Sequence, residues 1–263
     1  MISAERKAGA VRIIESRNNA FIIEIAKLKQ KKHRDAQGLF YVEGAKLLKE
    51  ALASDYNIRY VICAGPPQGF LEGAGGFELI RVTREVYAKL SDEEGFEGVM
   101  CVLEKPAERE LRYDGPVIVM DGVQNPGNVG AVIRAADALC RAELILTGGC
   151  ADIYSGRVQR AAMGAVFRQN IKISGNIKIE LEILRQKGYN IFAAWLGEGA
   201  RPLGGVDFGA KPAVLFGSEG AGLGAEVAEL CDERVIIPVR PGSESLNVAV
   251  AAGIILWEIG GGL

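Results

Sequence analysis

The chain has 263 residues, which suits two domains of ordinary size, and 49% of them are hydrophobic, as in globular proteins. It carries 31 Lys and Arg against 33 Asp and Glu, a balance that by itself argues against a nucleic-acid partner, and no apolar run reaches the ~20 residues that a membrane helix requires. Five scattered cysteines without Cys-x-x-Cys spacing argue against a disulfide framework and against a zinc site, so we expect no metal. The N-terminus lacks a secretory signal pattern, and together with the cysteines this favours a cytoplasmic protein.

The positive charge is concentrated near the N-terminus. Residues 1–50 hold eleven Lys and Arg, Arg6 and Lys7 among them, against six Asp and Glu, so this part has a net charge of +5 and the remainder has −7. Such a distribution is typical of a solvated helix face or of a surface that contacts nucleic-acid phosphates. Charge alone leaves both interpretations open.

The first elements predict a small α/β domain. Apolar residues at helical spacing over 18–30 predict an amphipathic helix that ends at a basic tip, Lys31 to Arg34, in which His33 has a solvated environment. Because His33 is the only histidine, histidine-based triads and histidine metal sites are nearly excluded. The pattern then predicts strands at 39–42, 58–63, 77–82 and 99–103, and helices at 44–53 and 84–90.

A polar, charged stretch with a proline at 104–112 predicts a linker between a domain of residues 1–105 and a domain of residues 112–263. In the second domain short apolar runs alternate with helical stretches, which indicates an α/β fold with a parallel sheet covered on both faces. The ligands of such sheets bind at the carboxyl ends of the strands. The predicted strands are 117–120, 143–146, 190–194, 213–216 and 235–237.

The segment after the first of these strands is the first candidate site. Asn-Pro-Gly at 125–127 is a turn signature, and Asn128 is the predicted N-cap of a helix that carries Arg134 beside its apolar stripe. Asp137 is spaced to pair with Arg134. Spacing alone permits either a surface Arg–Asp pair or a phosphate or substrate contact near a helix N-terminus.

Two further segments follow later strands. The run 217–222 places Glu219 among three glycines, which is typical of a loop whose backbone meets a ligand, although a strand-to-helix turn with a capping Glu has the same composition. After the last strand, Asn247 lies in a stretch apolar enough to be a fully buried helix, so its amide must satisfy backbone groups or face a ligand. No nucleophile with a partner base accompanies these segments.

Three sequences in this order carry a family likeness: Asn-Pro-Gly-Asn-Val-Gly-Ala-Val-Ile-Arg at 125–134, Leu-Phe-Gly-Ser-Glu-Gly at 215–220, and Ile-Pro at 237–238 followed by Ser-Leu-Asn-Val-Ala-Val-Ala at 245–251. They resemble the three motifs of the SpoU (TrmH-like) RNA ribose methyltransferases of the SPOUT superfamily. The run 160–168 is similar to the intermediate helix of that family. The chain departs from the pattern at Asn125, where relatives often have Asp, and at Ala249, where they often have Ser.

The resemblance implies methylation of a ribose 2′-hydroxyl in RNA, with S-adenosylmethionine as cofactor. It implies a Rossmann-like catalytic domain whose C-terminal segment forms a trefoil knot, and a homodimer whose interface borders the site. The residues implied to bind the cofactor are Gly217, Glu219, Ile237, Leu246 and Asn247. The residues implied at the reaction are Arg134, Asn128, Glu219, Asn247 and Ser245.

Arg134 would lie at the hydroxyl, and Asn128 would position Arg134 or the ribose. Because a guanidinium stays protonated at neutral pH, we expect Arg134 to orient the hydroxyl or to act with a substrate phosphate rather than to serve alone as a base.

The N-terminal part also resembles the ribosomal-protein-like substrate-binding domain of many members. This implies RNA-binding residues at Arg17, Asn18, Lys31, Lys32 and Arg34, and ribosomal RNA as the substrate. Two alternatives stay open: a methyltransferase directed at tRNA, and a non-catalytic RNA-binding protein that retains the knotted fold. A nucleotide-binding oxidoreductase is disfavoured because the dinucleotide fingerprint is absent.

Overall fold

The computed structural model describes residues 11–65, 69–71, 75–92, 95–107, 110–242 and 244–261, so Arg6 and Lys7 of the basic N-terminal segment lie outside the described residues. The chain divides into two compact units. Unit 1 comprises the residues up to 107 together with 154–160, and unit 2 comprises 108–153 and 161–263. The division falls within the predicted linker, but the contiguous domains of the prediction do not anticipate the assignment of 154–160 to unit 1.

Unit 1 contains a five-stranded mixed sheet and four complete α-helices within its described residues, and residues 156–160 of a further helix also belong to it. The strands are β1 (Arg12–Ile14), β2 (Leu39–Glu43), β3 (Ile58–Ala64), β4 (Glu78–Val82) and β5 (Val99–Glu104), and the helices are α1 (Ala20–Lys27), α2 (Lys31–Gln37), α3 (Ala45–Leu52) and α4 (Arg84–Leu90). The strand order is β1-β4-β3-β5-β2, with β1, β4 and β3 parallel and β5 antiparallel to both of its neighbours.

The predicted amphipathic helix and its basic tip form two separate helices in the structure, α1 and α2. Asn19 caps α1 by accepting a hydrogen bond from the backbone N–H of Phe21 at 2.9 Å, and α1 buries Ile22 and Ile25 against the core of unit 1. The basic residues that were predicted as a tip instead form α2, which ends at Gly38 in the left-handed conformation. His33 is half-buried rather than fully solvated.

Unit 2 contains a seven-stranded sheet in which every described pair of neighbours is parallel. The strands are β6 (Val117–Met120), β7 (Glu143–Thr147), β8 (Ile171–Ser174), β9 (Asn190–Ala194), β10 (Arg201–Pro202), β11 (Pro212–Phe216) and β12 (Glu233–Ile236). The helices are α5 (Pro126–Leu139), α6 (Gly156–Ala162, shared with unit 1), α7 (Ile177–Gln186), α8 (Ala225–Glu229) and α9 (Val248–Ile259).

The strand order of this sheet is β10-β12-β9-β11-β6-β7-β8. The central strands β6, β7 and β11 are buried at every residue, as the continuous apolar runs predict for a parallel sheet with two covered faces. The edge strands β8 and β10 were not predicted, because β10 has two residues and no residue of β8 is buried. No helix among the described residues is long and apolar enough to cross a membrane.

Helices α5 and α9 pack against each other, and their C-terminal ends approach closely. A Cβ atom on Gly260 would lie 2.7 Å from the carbonyl oxygen of Leu139, a contact that only glycine allows without movement of the backbone. The packing brings the N-terminal ends of both helices to the carboxyl edge of the parallel sheet. That edge is where ligands of such sheets bind.

Candidate active site

Helix α5 begins at Pro126, directly after β6 and its turn. The Asn125 side chain accepts hydrogen bonds from the backbone N–H groups of Gly127, at 2.8 Å, and Asn128, at 3.4 Å, so Asn125 is the N-cap. Proline suits the first helical position because the N–H that it lacks has no partner there. The prediction that Asn128 caps the helix is therefore wrong, and its side chain is free for other contacts.

Asn128 links the two other motif segments. Its Nδ2 donates to Oε1 of Glu219 at 2.9 Å, and its Oδ1 accepts from Nδ2 of Asn247 at 2.9 Å. One residue from each of the three strand-end segments thus joins in a single chain of hydrogen bonds, Asn247 to Asn128 to Glu219. The geometry also fixes which way the Asn128 amide faces, since the carboxylate can only accept.

Glu219 is held by three donors. Besides the Asn128 amide, the backbone N–H groups of Gln124 and Asn125 donate to its carboxylate at 3.1 and 3.0 Å. Desolvation alone would raise the pKa of Glu219, but these hydrogen bonds outweigh it and lower the pKa below its usual value. Glu219 is therefore an ionised acceptor that ties the glycine-rich loop to the turn before α5.

Asn247 is not buried within a helix, as predicted, but exposed at the start of one. Its Oδ1 accepts from the backbone N–H groups of Ala249, at 2.9 Å, and Val250, at 3.3 Å, so Asn247 is the N-cap of α9. The amide thereby serves both purposes that the sequence left open. Its oxygen satisfies backbone groups, and its nitrogen reaches the candidate site.

The glycine-rich loop after β11 is closed by backbone hydrogen bonds between Ser218 and Gly222, at 2.9 and 3.1 Å. This closure explains why residue 217 is glycine. A Cβ atom on Gly217 would lie 2.0 Å from the carbonyl carbon of Gly222 and 2.1 Å from the nitrogen of Leu223. The loop can therefore close only if residue 217 has no side chain.

A cavity of about 540 Å³ lies at this edge of the sheet, between the segments that follow β9, β11 and β12 and the start of α9. Its volume is within the range of small-molecule sites. The cavity brings together six residues that the sequence predicted for cofactor binding or the reaction: Gly217, Glu219, Ile237, Ser245, Leu246 and Asn247. Residues 194–197 after β9 also line the cavity. They were not predicted from the sequence, although the rule that ligands bind at strand ends applies to them equally.

Arg134 is exposed on α5 and does not line the cavity. Within the described part of the chain its guanidinium has no hydrogen bond or ion pair. The predicted partner Asp137 binds Arg168 instead, through Nε at 2.9 Å and Nη2 at 2.7 Å. The interpretation of Arg134 and Asp137 as a surface pair is thus wrong, because Arg168 engages the carboxylate from another part of unit 2.

Among the predicted RNA-binding residues, four are exposed: Arg17, Asn18, Lys31 and Lys32. The amine of Lys31 pairs with Asp35 at 2.7 Å. Arg34 is only 3% exposed, and its Nη1 donates to the carbonyl oxygens of Leu28 and Lys29 at 2.8 and 2.9 Å. The structure therefore contradicts an RNA-binding role for Arg34, because its guanidinium satisfies backbone groups in the interior of unit 1.

Nothing in the described residues resembles a metal centre, since no group of three or more His, Cys, Asp or Glu side chains is placed to hold an ion. The five cysteines are free thiols. Burial raises the pKa of Cys63 and of Cys231 to about 11, so neither is a thiolate at neutral pH.

Comparison with known proteins gives matches over both parts of the chain. Residues 115–257, more than half of the chain, match the SpoU rRNA Methylase family, and residues 19–101 match the MRM3-like substrate binding domain. The chain is similar to the 23S rRNA (guanosine(2553)-2'-O)-methyltransferase RlmP of Bacillus subtilis, with 29% identity over 94% of this chain and 99% of the relative. It is also similar to the 23S rRNA (uridine(2479)-2'-O)-methyltransferase of Streptomyces viridochromogenes, with 30% identity over 97% of this chain and 94% of the relative.

A solved structure is similar over nearly the whole chain. The AdoMet-bound rRNA methyltransferase from Sinorhizobium meliloti superposes with a TM-score of 0.87 and 28% identity, and the match covers 97% of this chain and 99% of that chain. The likeness confirms the predicted α/β class, with a parallel sheet in the second part of the chain and a small α/β domain before it.

Proposed function

The chain belongs to the SpoU rRNA methylase family, as the three motifs predicted, and we propose that it methylates a ribose 2′-hydroxyl of ribosomal RNA with S-adenosylmethionine as methyl donor. The observation that carries this proposal is the hydrogen-bonded chain from Asn247 through Asn128 to Glu219 beside the cavity. It joins the three motif segments at the one edge of the sheet where a ligand can reach all of them.

The cavity suits S-adenosylmethionine. Its walls combine apolar side chains, such as Phe216 and Ile255, with glycine-rich backbone whose N–H and C=O groups can bind the polar edges of an adenosine and an amino acid. Gly217, Ile237 and Leu246 would contribute backbone and apolar contacts. Glu219 and Asn247 would fix the loops that bear them.

S-adenosylmethionine, when bound, would supply an activated methyl group: its sulfur would leave as the neutral thioether of S-adenosylhomocysteine as the ribose oxygen takes the methyl carbon, and the hydroxyl proton would pass to a substrate phosphate or to water. The chain must hold the 2′-hydroxyl in line with the methyl and exclude competing water. Asn128 lies six residues before Arg134 on the same helix, so both follow the orientation of α5. We assign Arg134 to orient the hydroxyl or a neighbouring phosphate, because its guanidinium is exposed and unpaired within the described part of the chain.

Unit 1 would recognise the RNA. Arg17, Asn18, Lys31 and Lys32 place exposed polar and positive groups on it, and positive side chains neutralise phosphates without requiring a sequence. Ribosomal RNA is the proposed substrate because the named relatives act on 23S rRNA.

We also propose a homodimer, together with the C-terminal knot that the family resemblance implies. Val250 and Trp257 on α9 are 51% and 48% exposed, and an apolar helix that begins at the site with two such side chains uncovered suits an interface with a second copy. A partner helix against α9 would border the cavity, as the family resemblance implies.

The experiment is methyl transfer by the full-length chain. Labelled S-adenosylmethionine is incubated with ribosomal RNA and, separately, with bulk tRNA, and the modified nucleotide is mapped by its resistance to alkaline cleavage. Label at a ribose in ribosomal RNA is expected. Label in tRNA alone would support the tRNA-directed alternative, and binding of S-adenosylhomocysteine without any transfer would support the non-catalytic one.

Arg134→Lys tests the assignment of the guanidinium. Lysine keeps the charge but loses the planar, multidentate donor, so turnover should fall by at least about tenfold while cofactor affinity is unchanged. Arg141→Lys is a matched control, since Arg141 is also exposed just beyond α5 but far from its N-terminus. Full activity of Arg134→Lys would defeat the assignment.

A further inference from the structure

The segment after β9 forms one wall of the cavity, and its first residue continues the strand pairing. The backbone N–H of Trp195 donates to the carbonyl oxygen of Val235 at 2.9 Å, which extends the pairing of β9 with β12 by one residue. Trp195 is half-buried, packs against the core of unit 2 and lines the cavity. The next residue, Leu196, also lines the cavity and is 63% exposed.

Gly197 lies directly against the indole ring. A Cβ atom at this position would be 2.4 Å from Nε1 of Trp195, 2.9 Å from Cε2 and 3.1 Å from Cζ2, so any other residue would displace the ring. The backbone of Gly197 has no left-handed conformation that would call for glycine. Glycine is therefore required here by the close approach of the ring and not by the turn.

Arg234 contacts the same ring. Its guanidinium carbon lies 5.6 Å from the centroid of the indole, within the range of a cation–π contact. Arg234 belongs to β12, the strand that pairs with the start of this segment. The indole is thus fixed by two elements, the sheet through Arg234 and its own turn through Gly197.

We infer that Trp195 is a positioning residue for the methyl donor: its indole, in contact with both Gly197 and Arg234, holds the Leu196–Gly197 turn as a rigid wall of the cavity. An exposed leucine on an unsupported turn would lose conformational freedom on binding, and that loss would weaken affinity. A turn that is already rigid before the ligand binds has little conformational freedom left to lose. The inference rests on the proposed function, since it assigns the wall to the S-adenosylmethionine pocket.

The first test is a double-mutant cycle on the binding of S-adenosylhomocysteine, measured by calorimetry with the full-length chain. Gly197→Ala should weaken binding by about tenfold, because the new methyl group displaces the indole. Trp195→Leu should weaken it to a similar extent. In the Trp195→Leu background Gly197→Ala should have no further effect, since the ring that it would displace is gone.

Gly204→Ala is the matched control, because a Cβ atom there meets nothing within 4 Å and Gly204 lies outside the cavity lining. In methyl-transfer assays the variants at 195 and 197 should raise KM for S-adenosylmethionine and leave kcat within about twofold. Such a split would not follow from a general loss of folded protein, which lowers the apparent kcat. Unchanged affinity in both single variants would overturn the inference.

A second, spectroscopic test uses the two tryptophans of the chain, Trp195 and Trp257. In Trp257→Phe all tryptophan emission comes from Trp195, and S-adenosylhomocysteine should change that emission with the same midpoint as the calorimetric titration. Heat of binding without any change in emission would show that the indole is not at the occupied wall. Absence of binding by the unmodified chain would instead count against the proposed function, so the two failures are distinguishable.

Discussion

Nδ2 of Asn247 donates to Oδ1 of Asn128 across 119 residues of sequence, at 2.9 Å. The two residues stand near the starts of helices that pack against each other, α9 and α5. The Asn247 side chain thus caps α9 and also hydrogen-bonds to Asn128, the residue that holds Glu219. Changes at Asn247 should therefore affect stability and activity by separate routes.

Asn247→Ala should lower the free energy of unfolding by about 1 kcal/mol through loss of the cap. It should also reduce methyl transfer far more than this loss explains, because Asn128 loses its donor. Denaturant titration and turnover measure the two effects. Asn176→Ala removes the cap of α7, where Asn176 accepts from the N–H of Lys178 at 3.0 Å, and provides the control. Equal activity in both variants would contradict the role of the Asn247–Asn128 contact.

Glu219→Gln should change how stability depends on pH. The folded-state pKa of Glu219 lies below its usual value of 4.5, so its ionised form stabilises the fold above that value, and this contribution is lost as pH falls through the lowered pKa. The difference in unfolding free energy between the unmodified chain and Glu219→Gln should therefore be constant near neutral pH and shrink below about pH 4.5. Glu226→Gln, which removes an exposed partner of Lys178, should show a much smaller difference throughout.

Gly217→Ala should destabilise unit 2 by about 1–3 kcal/mol, because the added methyl group collides with backbone and not with a movable side chain. Cofactor affinity should fall with it, since the loop that lines the cavity must open. Gly220→Ala lies in the same loop with open space around its Cβ position and should be nearly neutral. Thermal unfolding of the two variants makes the comparison, and similar melting temperatures would contradict the prediction.

Arg34→Ala and Lys32→Ala should separate folding from RNA binding. Loss of the buried Arg34 guanidinium leaves two carbonyl oxygens without their donor and should cost about 1–3 kcal/mol of stability. The exposed Lys32 should leave stability within about 0.5 kcal/mol but weaken RNA binding and reduce its salt dependence. Titrations of the RNA at two salt concentrations test this. A stable Arg34→Ala variant with impaired RNA binding would restore the original prediction.

Val250→Asp should convert the proposed dimer into a monomer, because a carboxylate cannot be buried without a partner in an apolar interface. Light scattering after gel filtration gives the oligomeric state. Ile179→Asp, on α7, changes an apolar residue that is 56% exposed and should leave the state unchanged. An unmodified chain that is already a monomer at micromolar concentration would refute the homodimer itself.

Much of the fold was predictable because its signals are local. Runs of buried residues in β6, β9 and β11 were recognised by their apolar composition, and helix α4 was predicted from 84 to 90, as observed. The motif segments were also found at the ends of strands. The exceptions were edge strands, which lack a continuous apolar run, and the boundary between α1 and α2, where helical composition continues through a break.

Composition, hydrophobic pattern and motif order were enough to predict the fold class, the family and the three segments of the site, because these signals depend on neighbours along the chain. The partners of the individual side chains became clear only in the folded protein. Asp137 pairs with Arg168 and not with Arg134, and Arg34 is buried in the interior of unit 1. Asn128 does not cap its helix but forms hydrogen bonds with Glu219 and Asn247. Except for the contacts of Arg34, these contacts join residues that are separated by 31 to 119 positions in the sequence. Strand order and helix packing therefore set them, and local spacing does not.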